Sequence, residues 1–411
     1  MIVRWFISKK VREASAMRKH VHRILCAQRD ILGADSVREV EKALAALDEG
    51  LKSGVDKSKL DSKMTELESA ANKWLKPYPN ANWRENVEVL LVALAVAMGI
   101  RTFFVQPFKI PTGSMQPTLF GVTSVPNLTY RRMMSEAQVA EQLRQQNSLQ
   151  PATGLARLKE FFAGISFIDV KAKVDGALDR IGAPVGIRIV DFWQTLSIGG
   201  VTHTILLPPD CGQEKLTERA GVQLGQFFHK GETVLRLKVQ AGDHLFVDRL
   251  TYNFRKPKRG EIAVFQTGGI QDPRMPQDQF YIKRLVALGG EKVQIGDDRH
   301  LVIDGRRLDA SVEHFENVYS FDPKSPPTES QYSGHVNETV GAKFGRSNLA
   351  PLFPNEQAVH QVLPDHYMVM GDNTMNSFDS RGWGEFPAGN VIGKSFFVYW
   401  PITSRFGWGH R

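Results

Sequence analysis

The sequence predicts a mainly β domain that follows one apolar helix and an α-helical N-terminal region. Three patterns support this prediction. Apolar residues recur at helical spacing within the first 80 residues, an uncharged run extends from Val89 to Ile100, and short β-branched runs separated by turn residues begin near Val185. Spacings of three and four residues are typical of amphipathic helices, whereas short runs bounded by Gly, Pro and Asp are typical of strands.

Composition limits the classes of protein to which the chain can belong. Its 411 residues leave room for two or three domains. The net charge of +8 suits an anionic membrane surface or a nucleic acid. The cations are dispersed, however, and no nucleic-acid-binding signature is present, so we expect no nucleic-acid partner. The two cysteines, Cys26 and Cys211, provide no disulfide framework and no zinc cluster. The N-terminal MIVRWFISKK has too short an apolar run for a signal peptide.

Residues 1–80 are predicted to form two amphipathic helices joined as a hairpin by a break around Gly54. Two apolar stripes carry this prediction: Val37, Val40, Leu44, Leu47 and Leu51, then Leu60, Met64, Leu67, Ala71 and Trp74. Ser36 and Glu39 predict a capping box at the start of the first helix. The pattern is equally consistent with a pair that binds a partner and with an exposed pair that binds none.

One transmembrane helix is predicted over residues 87–107. The uncharged run alone is short for a span, but extension past Arg101 gives about 19 residues, or about 28 Å of helix. Arg101 lies near one end, where a long side chain can reach the interface. Three basic residues precede the run: Lys73, Lys76 and Arg84. They predict that residues 1–80 are cytosolic, although Arg101 and Lys109 weaken this prediction.

The stretch PFKIPTGSMQPTL directly follows the apolar run. Its prolines favour extended backbone, and Gly113 loosens the turn at which Ser114 is presented. A serine is a good nucleophile only when a neighbouring base takes its proton. Lys283 in FYIKRLVALGG is a candidate base, because it shares a strand face with Tyr281 and Leu285 and an apolar setting lowers a lysine pKa. Taken alone, each stretch is more typical of a surface linker or a solvated lysine.

A third stretch, VMGDNTMNSFDSRGWGEF, carries hydroxyl, amide and carboxylate side chains between glycines after an apolar strand. Such a loop can supply a hydroxyl and a carboxylate–guanidinium pair beside a site. It can equally be an ordinary turn region, since its residues are good turn formers.

Seven runs predict the strands of the β domain: VGIRIVDFW, ETVLRLKV, HLFVDRL, EIAVFQ, FYIKRLVAL, HYMVMGD and SFFVYW. Two insertions interrupt the domain. Residues 121–240 begin with a polar, helix-like segment that breaks at LQPATG, and we expect a folded module over or beside the substrate groove. Residues 305–363 show little regular pattern and are predicted to be a long excursion.

The apolar run, PFKIPTGSMQPTL, GDHLFVDR, KRGEIAVF, YIKRLVALGGEKV and GDNTMNSFDSRGWG, in this order, make the chain resemble bacterial type I signal peptidases. The resemblance covers residues near 87–119, 241–303 and 364–400. It leaves out the N-terminal helices and most of both insertions. It implies a signal-peptidase-like β fold and a serine endopeptidase that removes signal peptides from exported preproteins with a Ser/Lys dyad.

The resemblance also implies a setting for the enzyme. One span would hold it in the bacterial cytoplasmic membrane, with residues 108–411 forming the catalytic domain on the extracytoplasmic side. Its partners would be exported preproteins, membrane lipid and the secretion machinery. The chemistry needs no metal or other cofactor, because a neutral lysine can accept the hydroxyl proton.

Individual residues take roles from the resemblance. Ser114 matches the nucleophile and Lys283 the general base. Thr112 and the backbone N–H of Ser114 match the oxyanion hole, and Ser377 matches the serine that orients the lysine. Four residues match loop-stabilising positions: Gly371, Asn376, Asp379 and Arg381. Six match the lining of the substrate groove: Phe108, Ile110, Met115, Leu119, Tyr281 and Ile282.

One departure from the family pattern and two other classes of function remain. Thr374 and Met375 stand where an Arg-Asp pair is usual, which puts one local charge contact in doubt. A self-cleaving Ser/Lys regulator is opposed by the apolar span and by the lack of a recognisable helix-turn-helix in residues 1–80. A catalytically idle membrane scaffold is opposed by the retention of Ser114, Lys283 and Ser377.

Overall fold

The computed structural model describes residues 8–53, 56–76, 81–129, 131, 134–187, 190–209, 211, 215–320 and 333–408. The predicted break at Gly54, most of the Pro-containing segment before the apolar helix, and much of FDPKSPPTESQYSGH lie outside these residues. The chain divides into two compact units, Met1–Ala95 and Val96–Arg411. Each unit is described below by itself.

The first unit contains three packed helices and the start of a fourth: α1 (Lys9–Gln28), α2 (Ala34–Ser53), α3 (Lys57–Trp74) and α4 (Ala81–Phe103). Helices α2 and α3 lie over the two predicted amphipathic segments, and the apolar stripes of those segments are buried or partly buried in one apolar cluster. The sequence reading missed α1, which adds Ala14, Val21 and Leu25 to that cluster. The hairpin is therefore part of a three-helix bundle.

The predicted capping box at Ser36 is wrong. Helix α2 begins two residues earlier, at Ala34, and the amide of Val37 donates to the carbonyl of Gly33 at 3.1 Å. Ser36 therefore lies inside the first turn and cannot act as the N-cap.

Helix α4 is the candidate membrane span. Residues Glu85–Phe103 are long and apolar enough to cross a bilayer, and none of this segment is buried within the protein. The predicted end at residue 107 is wrong, because the helix ends at Phe103 and the chain continues as strand β1 from Val105. Pro107 lies inside that strand, opposite Phe246, which is consistent with the inability of proline to continue a helix.

The second unit is mainly β, as predicted. Its largest sheet has eight strands in the order β1-β10-β19-β11-β12-β17-β18, with β20 beside β19. The strands are β1 (Val105–Lys109), β10 (His244–Asp248), β11 (Ile262–Gln266), β12 (Phe280–Leu288), β17 (His366–Met370), β18 (Phe386–Pro387), β19 (Val391–Trp400) and β20 (Gly407–Trp408). All of these pairings are antiparallel. The described parts of all seven predicted runs contain strands.

The insertion at 121–240 is folded. It contributes two sheets, β2-β9-β3 and β5-β6-β4-β8, with β7 beside β6. Its strands are β2 (Thr123–Val125), β3 (Ile165–Lys171), β4 (Gly176–Ile181), β5 (Val185–Ile187), β6 (Val190–Ile198), β7 (Val201–Leu206), β8 (Phe227–Phe228) and β9 (Thr233–Gln240). The helices are α5 (Glu136–Ser148), α6 (Gly154–Phe162) and α7 (Leu216–Ala220), so the predicted break at LQPATG is confirmed. An apolar cluster that includes Leu178, Leu196, Leu235 and Leu237 forms its core.

The described part of residues 305–363 has few regular elements, as predicted. The elements are β15 (Arg306–Arg307), α8 (Glu338–Lys343) and β16 (His360–Gln361). Strands β13 (Lys292–Ile295) and β14 (Leu301–Ile303) join β15 and β16 in a sheet of order β15-β14-β13-β16. The irregular chain is nevertheless well packed, since Phe315 and Phe353 are fully buried in one cluster with Val286 and Met370.

Candidate active site

A short turn presents Ser114 after strand β1. The amide of Ile110 donates to the carbonyl of Asp243 at 2.9 Å, which fixes the end of the extended segment. The amide of Gln116 then donates to the carbonyl of Gly113 at 3.1 Å, so Ser114 and Met115 are the central residues of a β-turn. Met115 is fully buried. Burial of that side chain holds the turn against the core and fixes the position of Ser114.

Lys283 lies within hydrogen-bonding distance of Ser114. Its Nζ donates to Ser114 Oγ at 2.7 Å and to the carbonyl of Ile282 at 3.1 Å. Lys283 is 5% exposed and Ser114 is 8% exposed. Burial lowers the pKa of Lys283 from 10.5 to about 8, although the charges of Asp379 and Asp372 partly oppose the shift. The arrangement therefore places an amine that is readily neutralised beside a hydroxyl.

The loop after β17 is hydrogen-bonded to the serine turn. The amide of Asn373 donates to the carbonyl of Ser114 at 3.0 Å, and its side-chain Nδ2 donates to the carbonyl of Gly113 at 2.9 Å. A Cβ on Gly371 would lie 2.4 Å from the carbonyl oxygen of Ser114 and 2.2 Å from Ser377 Oγ. Glycine at 371 therefore permits the close approach of the two segments. The sequence reading missed Asn373, which stands in the same motif as Gly371.

Ser377 is placed near the serine turn by this contact with Gly371. It is 4% exposed, and its hydroxyl lies beside the Asp379 carboxylate, where it helps to lower the pKa of Asp379. The geometry thus brings Ser377 close to the Ser114 backbone without a hydrogen bond to Lys283. Its role as the residue that orients the lysine stays a proposal.

A buried ion pair stabilises the same loop. Arg381 donates through Nε and Nη2 to the two carboxylate oxygens of Asp379, both at 2.9 Å, and neither side chain is exposed. Burial alone would raise the pKa of Asp379, but the charge and hydrogen bonds of Arg381 leave it below the ordinary value. The carboxylate also accepts from the Gly371 amide at 3.0 Å. The ion pair therefore connects the loop to Gly371, which packs closely against the carbonyl of Ser114.

Thr374, where the chain departs from the family pattern, belongs to this network. Arg381 donates to its hydroxyl at 2.9 Å and to its carbonyl at 2.8 Å. The hydroxyl at this position thus accepts a hydrogen bond from the buried guanidinium of Arg381. Met375 is buried in a small apolar cluster, and Asn376 is exposed and accepts from Arg346 at 2.5 Å.

A second buried ion pair lies behind Lys283, and the sequence reading missed it. Arg284 donates to Asp372 through Nε at 2.7 Å and through Nη2 at 2.6 Å, with both side chains almost fully buried. Arg284 also donates to the carbonyls of Gly260 and His314, and Thr118 donates to Asp372. The apolar sequence on both sides of Lys283-Arg284 was the signal that could have predicted the burial of Arg284. Such a strand is covered on both faces, and neighbouring residues on it point to opposite faces.

The residues predicted to line a substrate groove fall into two groups. Ile110, Met115 and Leu119 are at most 4% exposed and belong to the core of the large sheet. Phe108, Tyr281 and Ile282 are half-buried. The Phe108 ring lies 5.4 Å from that of Phe280, so β1 and the start of β12 approach each other. The first group therefore belongs to the core, and the second group is accessible beside it.

The start of β12 has a hydrogen-bonding edge that the described sheet does not use. Strand β12 pairs with β11 over its length from Phe280 to Arg284, but its pairing with β17 begins only at Arg284. Thr112 is exposed beside the serine turn. A Cβ on Gly121 would lie 2.2 Å from the Thr112 carbonyl carbon, so close packing of the two backbones holds Thr112 in place.

Metal-binding side chains do not cluster in the described part of the chain. No group of three or more His, Cys, Asp or Glu residues there is arranged to hold a metal ion. Cys26 is exposed, and Cys211 is buried with its thiol donating to the carbonyl of Pro209 at 3.6 Å.

Comparison with known proteins identifies relatives of this site. The family model for signal peptidase, peptidase S26, matches residues 83–142 and 231–400. Signal peptidase I of Aquifex aeolicus is 32% identical over 39% of this chain and 69% of that protein. Signal peptidase I of Leptolyngbya laminosa is 27% identical over 40% of this chain and 64% of that protein, and the Pseudomonas fluorescens enzyme is 29% identical over 40% and 61%. The match thus spans less than two thirds of the latter two proteins.

A solved structure of a signal peptidase I from Enterococcus faecalis is 27% identical and covers 34% of this chain and 97% of that one, with a TM-score of 0.22. That score is too low to support an argument about the fold. The family model, in contrast, matches more than half of the 411 residues, and the matched segments contain the serine turn, Lys283 and the loop around Asp379. The chain therefore belongs to the signal peptidase family, peptidase S26.

Proposed function

We propose that this protein is a membrane-bound serine endopeptidase that removes N-terminal signal peptides from exported preproteins with a Ser114/Lys283 dyad. The observation that carries the proposal is the 2.7 Å distance between Lys283 Nζ and Ser114 Oγ in a site from which water is largely excluded. Membership of the family and the names of the relatives support the choice of substrate.

The proposed reaction begins with acylation. Neutral Lys283 takes the proton from Ser114 Oγ as that oxygen attacks the carbonyl carbon of the scissile peptide bond. The carbonyl π electrons move onto oxygen, giving a tetrahedral intermediate. When it collapses, the C–N bond breaks, and the Lys283 ammonium returns the proton to the leaving amine of the mature protein. The signal peptide is then held as an ester of Ser114.

Deacylation repeats these steps with water as the nucleophile. Lys283, again neutral, takes a proton from water, and the oxygen attacks the ester carbonyl. Collapse of the second intermediate breaks the bond to Ser114 Oγ, which recovers its proton from Lys283. The signal peptide leaves with a free carboxylate, and both residues return to their starting states.

The oxyanion of each intermediate is proposed to accept from the backbone N–H of Ser114 and the hydroxyl of Thr112. Such donors stabilise a transition state only when they are held in position beforehand, and loss of one costs about 3 kcal/mol. The hydrogen bonds from Asn373 to Ser114 and Gly113 support this positioning, because they fix the backbone that carries the N–H. Ser377 is proposed to orient Lys283, with Gly371, Asn376, Asp379 and Arg381 stabilising the loop that supports it.

An extended substrate is proposed to bind as an additional strand along the start of β12. Main-chain hydrogen bonds would give affinity, and the half-buried Phe108, Tyr281 and Ile282 would shape apolar pockets. Small residues such as the alanines of an A-x-A cleavage site fit shallow pockets, whereas larger side chains are rejected by contact. Ile110, Met115 and Leu119 are proposed to support these pockets from the core.

Cleavage of a preprotein tests the proposal directly. Purified wild type in detergent should cut a generic preprotein at its signal-peptide junction, and Ser114→Ala should show no cleavage above background, because it lacks the attacking oxygen. Product masses locate the cut. A cleaving Ser114→Ala variant would exclude Ser114 as the nucleophile, and a folded wild type that cuts no preprotein would favour the scaffold hypothesis.

Topology provides an independent prediction. We expect α4 to cross the cytoplasmic membrane once, with residues 1–80 inside and Ser114 outside, just beyond the end of the helix. Protease added to spheroplasts should digest the C-terminal unit and spare an N-terminal fragment detected by an antibody to α1–α3. A cytosolic protein that stays intact serves as the control for lysis. Protection of the C-terminal unit would contradict this orientation.

A further inference from the structure

Helix α1 presents a stripe of positive charge. Its exposed residues include Lys9, Arg12, Lys19 and Arg23, with Ala16 between them. At 100° per residue these four cations fall within about 80° of the helix circumference, and at 1.5 Å per residue they extend over about 21 Å. The opposite face packs into the bundle through Ala14, Val21 and Leu25 and cannot turn toward a ligand.

Positive charge in the bundle is concentrated on this helix. Helix α1 has six basic residues and one acidic residue, Glu13. Helices α2 and α3 together carry seven basic and eight acidic residues, and several of their charges form pairs, such as Arg38 with Asp35 and Lys52 with Asp48. Lys9 lies 3.9 Å from Glu13, but both side chains are largely exposed, so water screens that contact. Lys10 and Arg18, the other two basic residues of α1, pair with Asp61 and Asp48. The four cations of the stripe still outnumber Glu13, the one acidic residue of the helix.

If α4 spans a bilayer, the short connection between α3 and α4 keeps the three-helix bundle close to that bilayer. Helix α3 ends at Trp74, and the apolar segment of α4 begins at Glu85. The seven steps from Trp74 to Ala81 can extend to at most about 25 Å. A tether of this length gives a high effective concentration of the bundle at the membrane surface. Trp83, which is 71% exposed, is of the type that sits at the membrane interface.

The chemistry of the stripe fits lipid headgroups better than nucleic acid. Helix α1 contains no Phe, Tyr or Trp on which a base could stack, and its aromatic side chains are the histidines His20 and His22. Its exposed face has no apolar side chain larger than alanine between the cations. Spaced point charges on a convex surface suit a fluid layer of phosphates that can rearrange around them. Binding of this type is electrostatic, and salt weakens it.

We propose that the α1 stripe, formed by Lys9, Arg12, Lys19 and Arg23, binds the anionic phospholipid headgroups of the bilayer in which the protein is anchored. The proposal rests on the membrane anchor and not on the peptidase activity. Each cation near an anionic surface strengthens binding about fivefold. Loss of all four should therefore weaken docking by a factor on the order of several hundred.

The natural cysteines allow a test with the full chain. Cys26 is exposed near the C-terminal end of α1, and Cys211 is buried. A fluorophore can therefore be attached selectively to Cys26 in the folded protein. The labelled protein is placed in nanodiscs of phosphatidylcholine with or without phosphatidylglycerol, each with a spin-labelled lipid as quencher. We expect strong quenching only in discs that contain phosphatidylglycerol, and reversal of that quenching at high salt.

Two variants with equal charge loss separate the stripe from net charge. The variant Lys9→Gln, Arg12→Gln, Lys19→Gln, Arg23→Gln should lose the quenching in anionic discs. The matched control Arg38→Gln, Lys42→Gln, Lys57→Gln, Lys59→Gln removes four exposed cations from α2 and α3 and should keep it. Circular dichroism of both variants checks that the bundle stays helical. The measurement of quenching at high salt uses the wild type and needs no variant.

Several outcomes would overturn the proposal. Equal quenching in both kinds of disc, or equal loss in the two variants, would show that the stripe does not recognise anionic lipid. Salt-sensitive binding of RNA to the stripe that displaces it from anionic discs at low RNA concentration would assign it to nucleic acid instead. Ser114→Ala should dock like the wild type, so failure of the proposed peptidase activity is distinguishable from failure of docking.

Discussion

Lys283→Met should abolish cleavage of a preprotein while leaving the protein folded. Methionine fills a similar volume but cannot accept a proton, so Ser114 would lose its base and the rate should fall by at least about a thousandfold. Initial rates of cleavage in detergent provide the measurement. Lys283→Arg should be equally inactive despite keeping the positive charge, because a guanidinium is not deprotonated in a protein. Lys283→His should also fail, because its shorter side chain does not reach Ser114.

Lys283→Met should also stabilise the folded state in a defined range of pH. Lowering the pKa of Lys283 from 10.5 to about 8 corresponds to about 3 kcal/mol, since each unit is worth about 1.4 kcal/mol. Because the folded state holds the proton less tightly than the unfolded state, this cost is absent above pH 10.5 and grows as the pH falls. It is complete below about pH 8. Lys283→Met should therefore have a free energy of unfolding equal to or above that of the wild type at pH 6.5.

The pH dependence of activity follows from the same pKa. Only neutral Lys283 can accept the Ser114 proton, so kcat/KM should rise with pH along a limb centred near pH 8, well below the limb of a free lysine. At pH 7 only about a tenth of the enzyme would be active. Turnover of Lys283→Met close to that of the wild type would exclude the dyad, and a limb near pH 10 would show that Lys283 is not desolvated in the working enzyme.

The serine turn and Lys283 could be predicted from the sequence because their motifs are local. PTGSM specifies a turn after a strand, and FYIKRLVAL specifies a strand with one lysine on its inner face. The resemblance to a family joined the two motifs, which are 169 residues apart. Spacing alone could not do so, since nothing in either motif states which strand will lie beside the turn.

Features that depend on tertiary contacts were not predicted. The sequence does not show what covers Arg284, which is buried by packing of residues around Phe315 over that face of β12. Helix α1 has a weak apolar pattern because it buries Ala14 and Ser15 as well as larger side chains. The end of α4 could not be placed because Phe103, Phe104 and Val105 continue the apolar run without a break, and pairing of β1 with β10 decides where the strand begins.

Arg284→Met should be among the most destabilising single substitutions in the second unit. It removes both hydrogen bonds that Asp372 receives from a guanidinium and leaves a carboxylate at most 1% exposed, with Thr118 as its remaining side-chain partner. Breaking one side of a buried ion pair costs about 3–5 kcal/mol, because the charge that remains can reach neither water nor an opposite charge. The carbonyls of Gly260 and His314 lose a donor as well. Thermal unfolding in detergent, with the wild type at the same pH, should show the loss.

The double variant Arg284→Met, Asp372→Leu distinguishes loss of the pair from loss of packing. With both charges absent, no carboxylate is left buried without a partner, so the double variant should be more stable than Arg284→Met alone. Arg307→Met is the control for an exposed pair: its contact with Asp298 is about 40% exposed on both sides, and its loss should change stability little. Loss of the buried pair should also lower the rate of cleavage. Asp372 directly precedes Asn373, whose amide donates to the carbonyl of Ser114. If Arg284→Met were as stable as Arg307→Met, the buried pair would not support the loop that holds the carbonyl of Ser114.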